Sequence, residues 1–315
     1  MSFVRNASGK LQQPGAWGRF LYRVKKEGYP YLLLLPTLII LVGLILYPIL
    51  SAIDLSFHDV SITKIGSDYG PYTLKNYIKL FTSPELWPSL RVSFIYVFIV
   101  TIADYIIGML TALLLNQDFR GRRIARLIII IPWAFPLVVA ANVFWWIFNK
   151  TYGIANYFLV STGLTPIPID WWLTPLPALI AICVATLWKG YPMFTAMFLA
   201  GLQAIPMELY DATRVDGASS WQSFRYITLP ALNGVAGIAL LINALWVFRE
   251  FTVIFLLTGG GPINATRTLA VWTYTEAFNN LQMGYAAAIG VLTMIIAVIA
   301  SFFFVRATTR SAFYE

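Results

Sequence analysis

Six long apolar runs, at roughly 31–53, 89–115, 123–148, 176–202, 231–257 and 284–306, constrain this chain more than any other feature. A helix needs about 20 mainly apolar residues to cross the hydrocarbon of a bilayer, and each run is that long. Backbone polar groups in lipid must be satisfied within the structure, which leaves helices or closed barrels. The runs lack the alternation of barrel strands. The expected fold is all-α, a polytopic membrane bundle of six transmembrane helices over 31–306. A basic tail (1–30) precedes it, a short tail (307–315) follows it, and a polar insert (206–230) lies between the fourth and fifth runs. The first run follows basic residues, as in a signal peptide. It is too long for a signal core and lacks a small-residue cleavage site, so a retained span is expected.

Only 11% of the residues are charged, against about 25% in soluble domains. One cysteine, Cys183, and one histidine, His58, exclude an internal disulfide and a Cys/His metal cluster. Cys183 falls inside an apolar run and reads as a small buried hydrophobe. The net charge of +8 is explained by topology. Fourteen Lys and Arg fall in the tails, in the gaps after the second and fourth runs and at the adjoining run ends (Arg123, Arg126, Arg306), against five in the other gaps. The positive-inside rule then puts both termini and the insert in the cytoplasm, with some basic residues near anionic lipid. No nucleic-acid partner is expected. Three gaps, about 54–88, 149–175 and 258–283, then face outward. Trp87, Trp145, Trp146, Trp171 and Trp172 sit near span boundaries, as an interfacial belt or as sugar-stacking surfaces.

The insert is built as a mechanical part. Pro206 suits a helix start, the helix runs to about Val215, and Gly217 permits a bend that a Cβ would resist. Ser219 is a candidate cap for a second short helix carrying Trp221, Phe224 and Ile227, with Pro230 opening the fifth span. An amphipathic helix lying in the membrane interface, without a partner, is the plainer reading.

The order Asp211-Ala212-Thr213, Gly217, then Ile227-Thr228-Leu229-Pro230 resembles the "EAA" loop of ATP-binding-cassette (ABC) importer permeases. That pattern is Glu-Ala-Ala, three residues, Gly, nine residues, Ile-x-Leu-Pro; here Asp211 and Thr213 replace Glu and the second Ala. Tyr47-Pro48 with Leu55-Ser56-Phe57, Leu74-Lys75-Asn76-Tyr77 with Leu80-Phe81, and Leu257-Thr258-Gly259-Gly260-Gly261-Pro262 with Thr266, Leu269, Tyr274 and Ala277-Phe278 resemble the carbohydrate branch of that family. Phe251-Thr252 departs from it, since the branch often has Phe-Asp there. The triple glycine reads as a tight turn, because no Lys-Ser/Thr follows to make a phosphate loop. The resemblance implies a type I importer permease fold in a bacterial plasma (inner) membrane. It implies that Glu208, Asp211, Ala212, Thr213, Asp216, Gly217 and Ala218 couple to an ATPase. The implied partners are a second, different but homologous permease subunit, two ATP-binding-cassette subunits and an extracytoplasmic solute-binding protein. ATP and Mg2+ belong to the ATPase subunits; this chain has no cofactor and no P-loop.

Charges at membrane depth are functional candidates: Asp104, Lys189 and the pair Arg249-Glu250, the last toward the outer end of the fifth run. Two readings stay open, structural pairing of Asp104 with Lys189 or Arg249, and a polar lining of a solute path. A sugar site needs aromatic faces and hydrogen-bonding side chains, which makes Trp145, Trp188, Lys189, Tyr191, Asn243, Trp246, Arg249 and Glu250 the candidate path. The leading function is import of a sugar or short oligosaccharide without catalysis by this chain. The alternatives are an ABC permease for glycerol 3-phosphate, a polyamine or a peptide, and a secondary transporter with a span broken at Pro132 and Pro136. A membrane enzyme is disfavoured, because no catalytic constellation is arranged.

Overall fold

The computed structural model describes residues 33–61 and 69–312, with a two-residue antiparallel pairing of Val4–Arg5 with Leu11–Gln12. Most of the basic N-terminal tail, Lys64 and the last three residues lie outside the described residues.

Among the described residues, five helices are long and apolar enough to span a membrane: α1 (Leu33–Ser56), α3 (Leu86–Asn116), α7 (Pro175–Gln203), α9 (Ser220–Phe248) and α12 (Met283–Ala312, apolar through Thr308). The third run divides into α4 (Arg122–Ala134) and α5 (Leu137–Ile147), which meet at 96°. Pro136 causes the break. It has no N–H to donate, and it drives Phe135 to an extended ψ of 141°. An expected single span over 123–148 is therefore two helices around a bend.

The fifth run is corrected at both ends. Pro230 does not open a new helix. Helix α9 starts at Ser220, and a wide turn over Phe224–Thr228 lets the Leu229 N–H reach back to Phe224 O. That extra residue makes room for the proline ring. The run was expected to continue to 257, but α9 stops at Phe248 and a separate helix, α10 (Thr252–Thr258), follows. Arg249 and Glu250, expected toward the outer end of a continuous fifth run, thus lie in the break.

Helix α3 packs most extensively on α7, and α9 crosses both. One apolar cluster joins Tyr96, Phe144, Phe148, Trp171, Ile182 and Ile254. Another joins Met109, Phe194, Phe198, Leu202 and Leu232. Asp104 falls between them along α3. Gly108 permits the close approach, since a Cβ there would meet the Phe194 side chain and backbone.

The segments expected to face outward are structured. Helices α2 (Lys75–Thr82) and α6 (Ile154–Ser161), together with α11 (Leu269–Tyr274, continued by Thr275–Asn279), fold onto the bundle. Asn76 donates to Ser56 O and His58 O, and Gly284 N–H donates to Val60 O. Asn156 accepts from Ile169 N–H and Trp171 Nε1 and donates to Lys150 O and Ile169 O. Trp171 is therefore a core residue, its ring tilted against Phe148 at 4.6 Å, and belongs to neither an interfacial belt nor an open sugar platform. The triple glycine makes its tight turn with Gly259 and Gly260 at φ 60° and 93°.

Candidate functional site

A cavity of about 410 Å3 opens where the two helix breaks face α3 and α7. The α4–α5 bend contributes Trp133 and Leu137, α7 contributes Thr186, Lys189, Gly190 and Met193, and α3 contributes Asp104. The α9–α10 break supplies the opposite wall with Asn243, Trp246, Arg249, Glu250 and Phe251. The wall is part aromatic and part polar.

Lys189 is held by the bend. Its ammonium donates to Trp133 O at 2.9 Å and Phe135 O at 2.6 Å. Those carbonyls lost their helical partners when Pro136 broke the span, and the carboxyl end of a helix attracts a cation. Glu250 has the matching role at the other break, where its carboxylate accepts from Val253 N–H at the start of α10. Arg249 is exposed and makes no ion pair among the described residues.

Asp104 is fully buried. Its Oδ2 accepts from Asn243 Nδ2 at 3.0 Å, and Gly190 closes over the carboxylate from α7. Asp104 Oδ1 and Asn243 Oδ1 have no hydrogen-bond partner. The expected pairing of Asp104 with Lys189 or Arg249 is therefore replaced by a carboxylate–amide contact linking α3 to α9.

Of the eight expected path residues, Lys189, Asn243, Trp246, Arg249 and Glu250 line the cavity, and Trp145, Trp188 and Tyr191 are not among its walls. Trp188 sits behind it, edge-on to Phe135 and Phe144 at 5.9 and 5.6 Å. Trp133, Thr186, Met193 and Phe251 were not anticipated; the two prolines flanking Trp133 were the available signal.

The insert forms a second site. Helix α8 (Met207–Val215) ends at Gly217, with φ 74°, and Ser219 and Gln222 make a capping box at the start of α9. Tyr210 and Thr228 hydroxyls meet at 2.9 Å, and Thr213 and Ser223 hydroxyls at 3.2 Å. Glu208, Asp211, Ala212, Asp216 and Gly217 are exposed, while Thr213 and Ala218 are half-buried. Beside them Val215 is 88% and Trp221 69% exposed.

A bundle of spanning helices around a mixed aromatic and polar cavity at membrane depth defines a membrane transport component. Residues 104–312 match the family described as "Binding-protein-dependent transport system inner membrane component", and the chain belongs to that family of ABC transporter permeases. It is 36% identical to the trehalose/maltose transport system permease protein MalF of Thermococcus litoralis, over 87% of this chain and 91% of that protein. It is 34% identical to the sulfoquinovosyl glycerol transport system permease protein SmoG of Agrobacterium fabrum, over 83% and 84%. In fold it is similar to a chain of a bacterial ABC transporter that imports the acidic polysaccharide alginate. The TM-score is 0.80 at 20% identity, covering 93% of this chain and 99% of that one. The family is one of membrane subunits, not enzymes.

Proposed function

We propose that this permease imports a sugar or short oligosaccharide through the cavity between the two helix breaks. The observation that carries this is the composition of the wall. Trp133, Trp246 and Phe251 supply apolar faces for sugar rings, and Arg249 and Glu250 bring a donor and an acceptor suited to hydroxyls. The relatives named for trehalose/maltose and sulfoquinovosyl glycerol transport support the same solute class.

Glycerol 3-phosphate fits this wall less well. The Lys189 ammonium is engaged by two carbonyls, and Arg249 faces a cavity that also holds Asp104 and Glu250. Among the described residues, a dianion would meet one cation without an ion pair, Arg249, beside the Glu250 carboxylate, with Asp104 buried behind the wall.

In this reading α8 and its neighbouring apolar side chains, Val215 and Trp221 among them, dock on an ATPase subunit. A second, homologous permease completes the translocation path. A binding protein delivers solute to the face built by α2, α6 and the 259–268 segment. Both termini and α8 are cytoplasmic. Uptake of radiolabelled maltose, trehalose and glycerol 3-phosphate by the reconstituted transporter with its binding protein tests the proposal. ATP-dependent uptake of a disaccharide is expected; uptake of glycerol 3-phosphate alone would overturn it.

A further inference from the structure

A second concave region runs down the flank of α3 and α7, outside the solute cavity. Its upper part, about 760 Å3, is walled by Trp87, Arg91 and Ile95 of α3, Leu176 and Leu179 of α7, and Arg267. Its lower part, about 190 Å3, is lined by Ile99, Ala103, Ile180, Val184 and Leu187. Leu176 and Leu179 line both parts, so the two form one groove with a polar head and an apolar tail.

The head is cationic. Arg267 is only 8% exposed, pairs with Glu85 at 3.0 Å and lies over the Trp272 ring. Its Nε–H is buried with no acceptor, an arrangement that is costly unless an acceptor outside the chain completes it. Arg91 is exposed on α3 and makes no ion pair among the described residues. Two guanidiniums against one carboxylate leave the head positive. The planar donor fork of arginine matches a phosphate. Ile263 and Asn264 roof this end at φ 47° and 62°, a backbone region that β-branched residues enter only under constraint.

The tail has the dimensions of a lipid chain. Arg91 to Ala103 covers about 18 Å of helix, close to the depth of one leaflet, about 15 Å. Trp87, beside the head, is exposed at the level where tryptophan meets headgroups.

The geometry points to a structural lipid site: a glycerophospholipid with its phosphodiester between Arg91 and Arg267 and one acyl chain in the α3–α7 groove. Free phosphate would leave the apolar tail without purpose. A protein helix in the groove would need its own acid at the two guanidiniums, whereas every phospholipid carries the anion. Assigning the site to the outer leaflet rests on the orientation proposed above; the site itself does not depend on the solute.

The test uses the full chain in its purified transporter complex, in phosphatidylcholine nanodiscs doped with phosphatidylglycerol carrying a diazirine midway along one acyl chain. After illumination, mass spectrometry should find label concentrated near Ile99, Leu179 and Val184. Arg91→Gln, an exposed change that spares the Arg267–Glu85 pair, should lower that label about tenfold, as expected for losing a charge-assisted contact. Labelling near Val298 and Phe302 of α12 should not change. Even labelling of all lipid-facing helices, no response to Arg91→Gln, loss of label to excess inorganic phosphate, or cross-linking of the groove to another subunit would each overturn the proposal.

Discussion

Lys189 is the residue whose role changes most between sequence and structure. A lone cation at membrane depth reads as a solute ligand or an ion-pair partner, yet its ammonium holds two carbonyls freed by a broken helix. Lys189→Met should therefore cost about 2 kcal/mol of stability, because a charged hydrogen-bond donor to two carbonyls left unpaired at the helix break is lost. The measurable result is a lower melting temperature in detergent together with reduced uptake. A pure solute ligand would raise the KM for uptake without moving the melting temperature. Gly190 is a second sensitive point. A Cβ there meets the Asp104 carboxylate, so Gly190→Ala should cost about 1–3 kcal/mol through overpacking. Asp104→Ala in that background should recover part of the loss, a non-additivity expected of residues in contact. The sequence made Asp104 and Lys189 conspicuous as charges. It hid their partners, because neither helix rotation nor the carbonyls released at Pro136 leave a mark in residue type.

At the scale of elements, α8 and the first turns of α9 form one mechanical unit. The turn at Gly217 sets their angle, and the Tyr210–Thr228 and Thr213–Ser223 hydroxyl contacts fix it. An element held this way transmits displacement to α9, whose far end carries Asn243 and Trp246 into the cavity wall. Combined Tyr210→Phe and Thr228→Val changes should leave the transporter assembled but loosen that link. Expected is ATP hydrolysis near the native rate with uptake reduced several-fold, read from parallel hydrolysis and uptake assays. Equal loss of both would instead mean that the proposed docking of α8 on the ATPase is lost. Gly217→Ala should cost about 1 kcal/mol, since its φ of 74° is left-handed, whereas Gly217→Asn should be milder. Helix α8, the Ser219 cap and the Gly217 bend were legible from local chemistry. The merger of the second short helix into α9 was not, because it depends on a wide turn that absorbs Pro230. A proline reads in sequence as a boundary, and only the packed structure reveals it as an accommodated interior residue.

At the scale of the molecule, apolar length located five helices long enough to span a membrane, since hydrocarbon thickness allows few alternatives, but it did not show the 96° bend in the third run or the shifted ends of the fifth. Long-range assembly was less legible. The 258–283 segment was expected only as a gap between spans, and it buries Trp272 and Arg267, the latter paired with a half-exposed Glu85, against the bundle. Orientation was inferred from fourteen basic residues on one side against five on the other, and it can be checked chemically. Cys183 is the only cysteine in the chain and is buried, so an added cysteine should dominate labelling by a membrane-impermeant maleimide. Thr151→Cys, on an exposed turn before α6, should react in intact cells. Arg214→Cys, on exposed α8, should react only after the membrane is opened. Both sites are exposed, so a difference between them reports sidedness and not burial. The reverse pattern would invert the molecule, put α8 outside and remove any route by which a cytoplasmic ATPase could drive it.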